Sequence, residues 1–299
     1  MEKVVILMST YNGEKYLEEQ LESLFLQEEV EISILVRDDG SSDNTVKILN
    51  KYQAEGRLSW YTGNNLKSAR SFLNLIQKAP KSNYYAFCDQ DDVWNSDKLK
   101  RAIHQLERVT NTPKLYCSNY QLVDKNLNHL TDNGHVSTVS FKAALVASNC
   151  TGCTVVFDST LLKLIRKQTP EHLVMHDDWA HKVCLAVGGT VIYDENKSLL
   201  YRQHEKNVDG GLRDVKSRLL QIKKRIQSQT YVRSLQINEL IKIYSDLMSK
   251  DNYEMAKLVA NYRDNRLVTF IKLILNNKIR SPNSKSNRGF KLAILFKYF

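Results

Sequence analysis

The sequence predicts an α/β fold, a mostly parallel sheet flanked by helices, followed by a helical and basic C-terminal extension. Three observations lead there. Short β-branched or aromatic runs alternate with helical patterns over the first hundred residues, the signature of helices packed on both faces of a parallel sheet. Polar loops follow the first, second and fourth of these runs, at the strand carboxyl ends where such sheets bind ligands. The charge is also divided: residues 206–299 hold 20 Lys and Arg against 7 Asp and Glu, whereas residues 1–205 hold 23 against 26. A catalytic domain over 1–210 and a helical basic region over 211–299 are therefore expected.

In chain order, "VVILMS" (4–9) reads as a strand, and "GEKYLEEQLESLFLQ" (13–27) carries Tyr16, Leu17, Gln20, Leu21, Leu24 and Phe25 at helical spacing. "ISILVRDD" (32–39) is a strand and "SDNTVKILNKY" (42–52) a capped helix. "LSWYT" (58–62), "SARSFLNLIQKA" (68–79) and "YYAFCD" (84–89) continue as strand, helix and strand. Beyond residue 112 the pattern loosens. "KLYCSNYQLVD" (114–124), "GCTVVFD" (152–158) and "TVIYDENKSLLYRQH" (190–204) look like strands, and "HDDWAHKVCLAVGG" (176–189) like a short helix with a glycine stop. From 212 onward the chain reads as helical, with a loop at "RSPNSKSNRG" (280–289) before a last helix, "FKLAILFKYF".

With 299 residues, 42% of them hydrophobic, the chain can bury a sizeable core. Its five cysteines, Cys88, Cys117, Cys150, Cys153 and Cys184, are odd in number and mostly sit in apolar runs, which suits reduced thiols. "CTGC" has zinc-ligand spacing, but no second Cys or His pair follows at a finger-like distance, so no zinc site is expected. The apolar run before Ser9 is too short for a leader and follows an acid, and no window of about 18 apolar residues exists. A cytoplasmic protein is expected. The G-x-G-x-x-G fingerprint is absent from every strand-to-helix turn, which argues against a NAD or FAD enzyme.

The sharpest local signal is "CDQDDVW" (88–94). Three carboxylates within four positions repel one another, and a hard divalent cation such as Mg²⁺ or Mn²⁺ would offset that repulsion while leaving positions open for substrate phosphates. The plainer alternative is a solvated turn in which Asp92 or Asp97 caps the next helix. Two other polar loops converging on the same sheet edge favour the cation.

"STYNGEKYLEEQLESLFLQ", "VRDDGSSDNT" and "FCDQDDVWNSDKL" resemble, in order and spacing, the N-terminal signatures of family 2 glycosyltransferases with the GT-A fold, bacterial rhamnosyltransferase-like members above all. The resemblance covers residues 1–210 and fades beyond about 215. It implies that Thr10 and Tyr11 line a base pocket, with Tyr11 stacking on a pyrimidine whose N3–H donates to Asp39. Asn12, Asp38 and Gln90 join them as nucleotide-binding candidates. Asp89 would contact the ribose or the metal, and Asp91 would be the principal ligand of Mn²⁺ or Mg²⁺ beneath the diphosphate. One departure is "NNLKSARSF", with Leu66 and Lys67 where the family often has glycine. Lys67 or Arg70 would then reach the phosphates or simply be surface charge.

"MHDDW" (175–179) resembles the His-Asp-x-Trp of the rhamnosyltransferase-like group, which implies a general base at Asp177, with Asp178 as the alternative. An inverting transfer needs one carboxylate near the acceptor hydroxyl and no covalent nucleophile. The structural alternative is helix capping by Asp177 with Trp179 in the core. "YRQHEKNVDGG" looks like the family's Arg-x-His segment, making His204 a third metal candidate near Arg202 and Gln203. "NCTGCTVVF" resembles an acceptor-side strand, so Gly152 and Trp179 are the acceptor-binding candidates.

The implied partners are a nucleotide-diphosphate sugar, TDP-rhamnose before a UDP-hexose, and a glycan or lipid-linked acceptor. A sugar nucleotidyltransferase is the enzyme alternative, yet "STYNGEKY" is not a Gly-rich basic phosphate loop. Nucleic-acid binding is not expected, since the basic tail lacks interleaved aromatics and any reader motif. In the tail, Leu219, Leu220, Ile222, Ile226, Leu240, Ile241 and Ile243 suit packing on the catalytic domain or a second subunit in a homodimer. In the last helix Phe290, Leu292, Ile294, Leu295, Phe296, Tyr298 and Phe299 leave little polar face. Lys272, Lys278, Arg280, Lys285, Arg288, Lys291 and Lys297 surround it, so contact with an anionic membrane surface is expected there.

Overall fold

In a computed structural model the described residues are 1–131, 138–148, 150–204, 231–262, 266–275, 278–296 and 299. Strands β1 (Glu2–Thr10), β2 (Val30–Asp38), β3 (Ser59–Thr62) and β4 (Tyr84–Cys88) alternate with helices α1 (Leu17–Phe25), α2 (Thr45–Ala54) and α3 (Lys67–Lys78). Then come β5 (Val93–Trp94), α4 (Lys98–Glu107), β6 (Lys114–Val123), α5 (Phe141–Val146), β7 (Val156–Asp158), α6 (Ser159–Arg166), α7 (His176–Ala186) and β8 (Thr190–Arg202). One eight-stranded sheet runs β3-β2-β1-β4-β7-β6-β8-β5. Its first four strands are parallel, as expected, while β7 pairs antiparallel with both β4 and β6, and β5 antiparallel with β8.

Strand alternation builds the two core layers. On β1, Val4, Ile6 and Met8 face one cluster with Leu17, Leu21, Leu49 and Leu99, and Val5 and Leu7 face another with Phe72, Ile76 and Trp179. This is the period of two that puts successive side chains on opposite sheet faces. Both faces being covered, the strands read as near-continuous apolar runs.

Several elements differ from the sequence expectation. Helix α1 begins at Leu17 rather than at Gly13, because Gly13 is tied into the ligand-edge loops described below. Only Val156–Asp158 of the expected strand 152–158 is extended, and Gly152–Thr154 forms a 3-10 turn. Helices α5 and α6 have no counterpart in the sequence expectation, and α4 is there only as the helix that Asp92 or Asp97 would cap; Asp97 does sit at its N-cap, without a side-chain cap bond. In α4, buried Leu99, Ala102, Ile103 and Leu106 lie at helical spacing, a signal masked by the acidic run just before them.

Helices α8 (Val232–Tyr244), α9 (Lys250–Ala260), α10 (Arg266–Leu275) and α11 (Ser284–Leu295) complete the described chain. Leu240, Ile243, Tyr244, Val259, Leu273, Phe290, Ile294 and Phe299 join the same cluster as Phe72 and Trp179. The described tail therefore packs on the catalytic core. Leu219, Leu220, Ile222, Ile226, Lys297 and Tyr298 lie outside the described residues. The last helix is not a free apolar rod: Phe290, Ile294 and Phe299 are buried, and Leu292 and Phe296 are the large apolar residues it leaves exposed. Among the described residues no helix is long and apolar enough to cross a membrane.

Candidate active site

Register brings the acidic loops together. Thr10 pairs with Asp38, and Met8 with Cys88, so the loops after β1, β2 and β4 open at one carboxyl edge. The first two are laced by side chains. Asn12 adopts φ 48°, a left-handed conformation that Asn tolerates, and its Oδ1 accepts from the Ser42 N–H at 2.8 Å while its own N–H donates to Ser41 Oγ at 2.9 Å. Gln90 clamps the third loop to the first: its Oε1 accepts from the Tyr11 N–H at 2.9 Å and its Nε2 donates to the Tyr11 carbonyl at 3.1 Å. A Cβ on Gly13 would lie 2.3 Å from that Oε1, so a side chain there would push Gln90 off its clamp.

This lacing gives three of the nucleotide-binding candidates a role inside the loops. Asp38 is fully buried, accepting from Thr10 Oγ1, the Gly40 and Ser41 N–H groups and Ser41 Oγ, so it shapes an Asx-type turn. Gln90 and Asn12 are spent on the loops. Asp39 is buried beside Arg37, and its Oδ2 accepts from the Leu66 N–H at 3.0 Å. Tyr11 keeps 49% of its surface exposed, which leaves its ring open to a stacking partner. Lys67 is exposed with φ 62°, a glycine-like backbone held by a lysine. The Arg70 guanidinium donates to the Glu171 carbonyl.

Beneath the edge lies the acidic group. Asp91 Oδ2 and His204 Nε2 meet at 2.7 Å, and the His204 ring stacks on Tyr16 with centroids 5.1 Å apart. Asp89 instead gathers with Asp92 and Cys153, donor atoms within 4.8 Å of one another. Burial and the neighbouring charges of Asp91 and Asp177 push Asp89 up to about 7, and burial pushes Asp92 well above the usual carboxylate range. Carboxylates that crowded hold protons unless a cation joins them. Asp92 is 1% exposed and the Cys153 thiol is pushed well up by burial, so both are poor ligands. Asp91 and His204 are in contact and Asp89 lies within reach of the Asp91 charge, although Asp89 is gathered at ligand spacing with Asp92 and Cys153 rather than with them. These three are the partly open donors whose chemistry suits Mn²⁺ or Mg²⁺.

Arg202, which sequence reasoning noted only as a neighbour, is the strut of this floor. It is 2% exposed; its Nε donates to the Asp91 carbonyl at 2.8 Å, its N–H to Asp92 Oδ1 at 3.2 Å, and its Nη2 pairs with Glu19. Cross-chain partners 110 and more residues away leave no spacing signal.

On the other side, α7 presents Asp177 and Asp178 in opposite states. Asp178 is buried, held by Lys182 Nζ at 2.5 and 2.7 Å and by Gln236 Nε2 of α8, and its carboxyl stays below the usual range through Lys182 despite burial. Asp177 is half-buried and lies close enough to Asp89 to raise its pKa. Burial and Asp178 push Asp177 itself up to about 7, against N–H bonds from Asp178 and Gly152. Gly152 is buried, and a Cβ on it would lie 2.9 Å from His176 Nε2 and 3.3 Å from Asp177 Oδ2. Its close approach is thus to the base candidate rather than to an acceptor. His176 is kept neutral by burial, pushed down to about 3, and stacks on Phe72 at 3.8 Å. Trp179 is 0% exposed in the core, so its side chain offers an acceptor no surface and serves to anchor α7.

Comparison with known proteins bears on the family and the fold. The family described as "Glycosyl transferase family 2" matches residues 5–168. A dTDP-rhamnosyl transferase, RfbG, of Shigella flexneri is 33% identical over 68% of this chain and 73% of its own length. The Escherichia coli UDP-Glc:alpha-D-GlcNAc-diphosphoundecaprenol beta-1,3-glucosyltransferase WfaP is 31% identical over 55% of this chain and 64% of its own. In fold, the chain superposes on S. aureus TarS 1–349 with a TM-score of 0.58 at 16% identity, covering 98% of this chain and 81% of that one. The Pyrobaculum calidifontis mannosyltransferase PcManGT, in complex with GDP-Man and Mn²⁺, gives 0.56 at 14% identity over 98% and 85%.

Proposed function

Because the chain belongs to glycosyl transferase family 2, we propose that it moves a sugar, rhamnose from TDP-rhamnose in the first instance, onto a growing cell-surface glycan or lipid-linked acceptor with inversion at the anomeric carbon. The observation that supports this is Asp177, a half-buried carboxyl raised to about 7, within charge reach of Asp89, while Asp91, close to Asp89 in sequence, stands in contact with His204. A base needs a pKa near the working pH, and Asp178, locked to Lys182, is unsuited to it.

In the reaction the acceptor hydroxyl oxygen attacks the donor's anomeric carbon, the bond to the diphosphate oxygen breaks, and Asp177 Oδ2 takes the hydroxyl proton. The new glycosidic bond forms on the face opposite the leaving group. When bound, a divalent cation supplies positive charge for the diphosphate; Asp89, Asp91 and His204 are the side chains that would hold it. Tyr11 offers its exposed ring to the base, Asn12, Asp38 and Gln90 hold the loops that shape the pocket, and the Gly152 and Asp178 N–H groups orient Asp177. UDP-glucose is the second donor reading, favoured by the WfaP likeness; a peripheral position on a membrane is proposed with the lipid-linked acceptor.

A donor-hydrolysis screen with TDP-rhamnose, UDP-glucose and UDP-galactose, each with Mn²⁺, Mg²⁺ or EDTA, tests the reading. TDP release from TDP-rhamnose that EDTA abolishes is the expected result, and no nucleotide release from any donor would overturn it.

A further inference from the structure

Helix α10 has two apolar faces. Leu273 and Thr269 are buried against the core, as a docked helix requires. Leu267, Val268, Ile271 and Leu275 are 67%, 51%, 52% and 77% exposed. At 3.6 residues per turn these four share an arc of about 100°, roughly opposite Leu273 and Thr269. Scattered single apolar residues on a surface mean little, but a contiguous apolar face marks an interaction site.

The charge of the segment that carries that face is one-sided, and Asp251 of α9 is an acid that interacts with its Lys278. Residues 265–299 contain eight Lys and Arg and no Asp or Glu. Lys272, on α10 itself, is exposed, as are Lys278 and Arg280 in the following turn and Lys285, Arg288 and Lys291 on α11. Helix α11 packs beside α10, and its outer side adds Leu292 at 49% and Phe296 at 61% exposure. Leu292 and Phe296 stand one turn apart, on the same side as Lys285 and Arg288.

We propose that the outer face of α10, with Leu292 and Phe296 of α11, is a docking surface for an anionic phospholipid bilayer. An amphipathic helix lying in the interface buries its apolar stripe while its cations meet lipid phosphates. Charge complementarity selects this occupant over a second copy of the chain. In a two-fold dimer the patch would meet itself, bringing exposed Lys272, Lys285, Arg288 and Lys291 against their own copies, with Asp251 beside Lys278 as an acid within reach. The contact is made mainly by α10, with only Leu292 and Phe296 from the last helix, since Phe290, Ile294 and Phe299 are committed to the core. The surface stands on exposure and charge alone; its purpose, bringing the cleft to a lipid-linked acceptor, rests on the reading of function above.

The test uses the full chain with vesicles of phosphatidylcholine alone and with about one-third phosphatidylglycerol. Sedimentation should favour the anionic vesicles and weaken as salt rises, because each interfacial cation contributes about a fivefold gain in partitioning. Leu267→Ser/Ile271→Ser/Leu275→Ser should cut binding at least tenfold with unchanged melting and donor hydrolysis. Lys285→Ala/Arg288→Ala/Lys291→Ala should weaken the preference for anionic lipid by up to about a hundredfold. Equal binding to both vesicles, no binding by wild type, or wild-type binding by the serine variant would overturn the proposal. So would a wild-type dimer that the serine variant converts to monomer, since the face would then belong to a second copy. If vesicle binding behaves as expected but no nucleotide-sugar is hydrolysed, the proposed function fails and the docking surface stands.

Discussion

Replacing Asp177 with Asn should make the protein more stable and nearly inactive, and the two effects share one cause. Burial and Asp178 raise the Asp177 carboxyl from 3.8 to about 7. At about 1.4 kcal/mol per pKa unit, holding it ionised costs the folded state about 4 kcal/mol. An Asn there keeps an Oδ1 to accept from the Asp178 N–H, but its amide nitrogen cannot accept from Gly152, a loss of about 1 kcal/mol. The expected gain is about 3 kcal/mol at pH 8, or about 6 °C in melting temperature. The gain depends on pH in a defined direction. Between about pH 4 and pH 7 the unfolded chain releases the Asp177 proton while the folded protein keeps it, so wild type loses stability across that window. The variant has no such proton. Below pH 4 the difference should shrink to the lost hydrogen bond and change sign. Melting both proteins from pH 4 to 8 without metal or donor reads this directly, and a difference at pH 8 no larger than at pH 4 would refute the buried-carboxylate reasoning. Wild-type transfer should rise through about pH 7, and the variant should lose about 10²–10⁴-fold in rate with donor affinity retained. If Asp178→Asn is inactive and Asp177→Asn active, the base has been assigned one residue early.

Other substitutions probe the remaining parts of the cleft. Asp91→Ala should abolish transfer and remove the metal dependence of donor binding; full activity of that variant in EDTA would refute the metal reading. Gly152→Ala puts a methyl 2.9 Å from His176 Nε2 and should cost about 1–3 kcal/mol in stability, with turnover falling more than donor affinity. Gln236→Leu strips an amide from Asp178 and the acceptor from the Val174 N–H, bonded at 2.6 Å. It should destabilise by about 1–3 kcal/mol, and unchanged melting would show that α8 does not brace α7. Leu240→Ala should cost about 2–5 kcal/mol if the tail helices belong to the catalytic core.

Much of the N-terminal half was legible in the residues, because its signals are local. The strand periods of β1 and β2, the helical spacing of α1 and α3, and the acidic loop ending β4 each lie within one short window, and the parallel half-sheet follows from their alternation. The cleft beyond it was legible only as motifs. "MHDDW" names two adjacent carboxylates with the same side chain, and nothing in the sequence separates them. Their difference arises from Lys182 one turn on and from Gln236, 58 residues away, which together hold Asp178 charged while Asp177 meets Asp89.

By itself the sequence determined the α/β alternation, the carboxylates at the strand ends, the split of charge and the family. Tertiary structure decided which of those polar residues face the cleft. Asp38, Asn12 and Gln90, candidates for ligand contact, fasten the loops to one another. Trp179 went to the core, and Arg202 became a buried strut spanning Glu19, Asp91, Asp92 and Lys125. The apolar content of the tail was plain in the sequence, yet which half is buried depended on where α10 and α11 land. The reason is common to all of these. Periodicity reports what an element does along its own axis, whereas solvation and pKa depend on neighbours brought close only by folding.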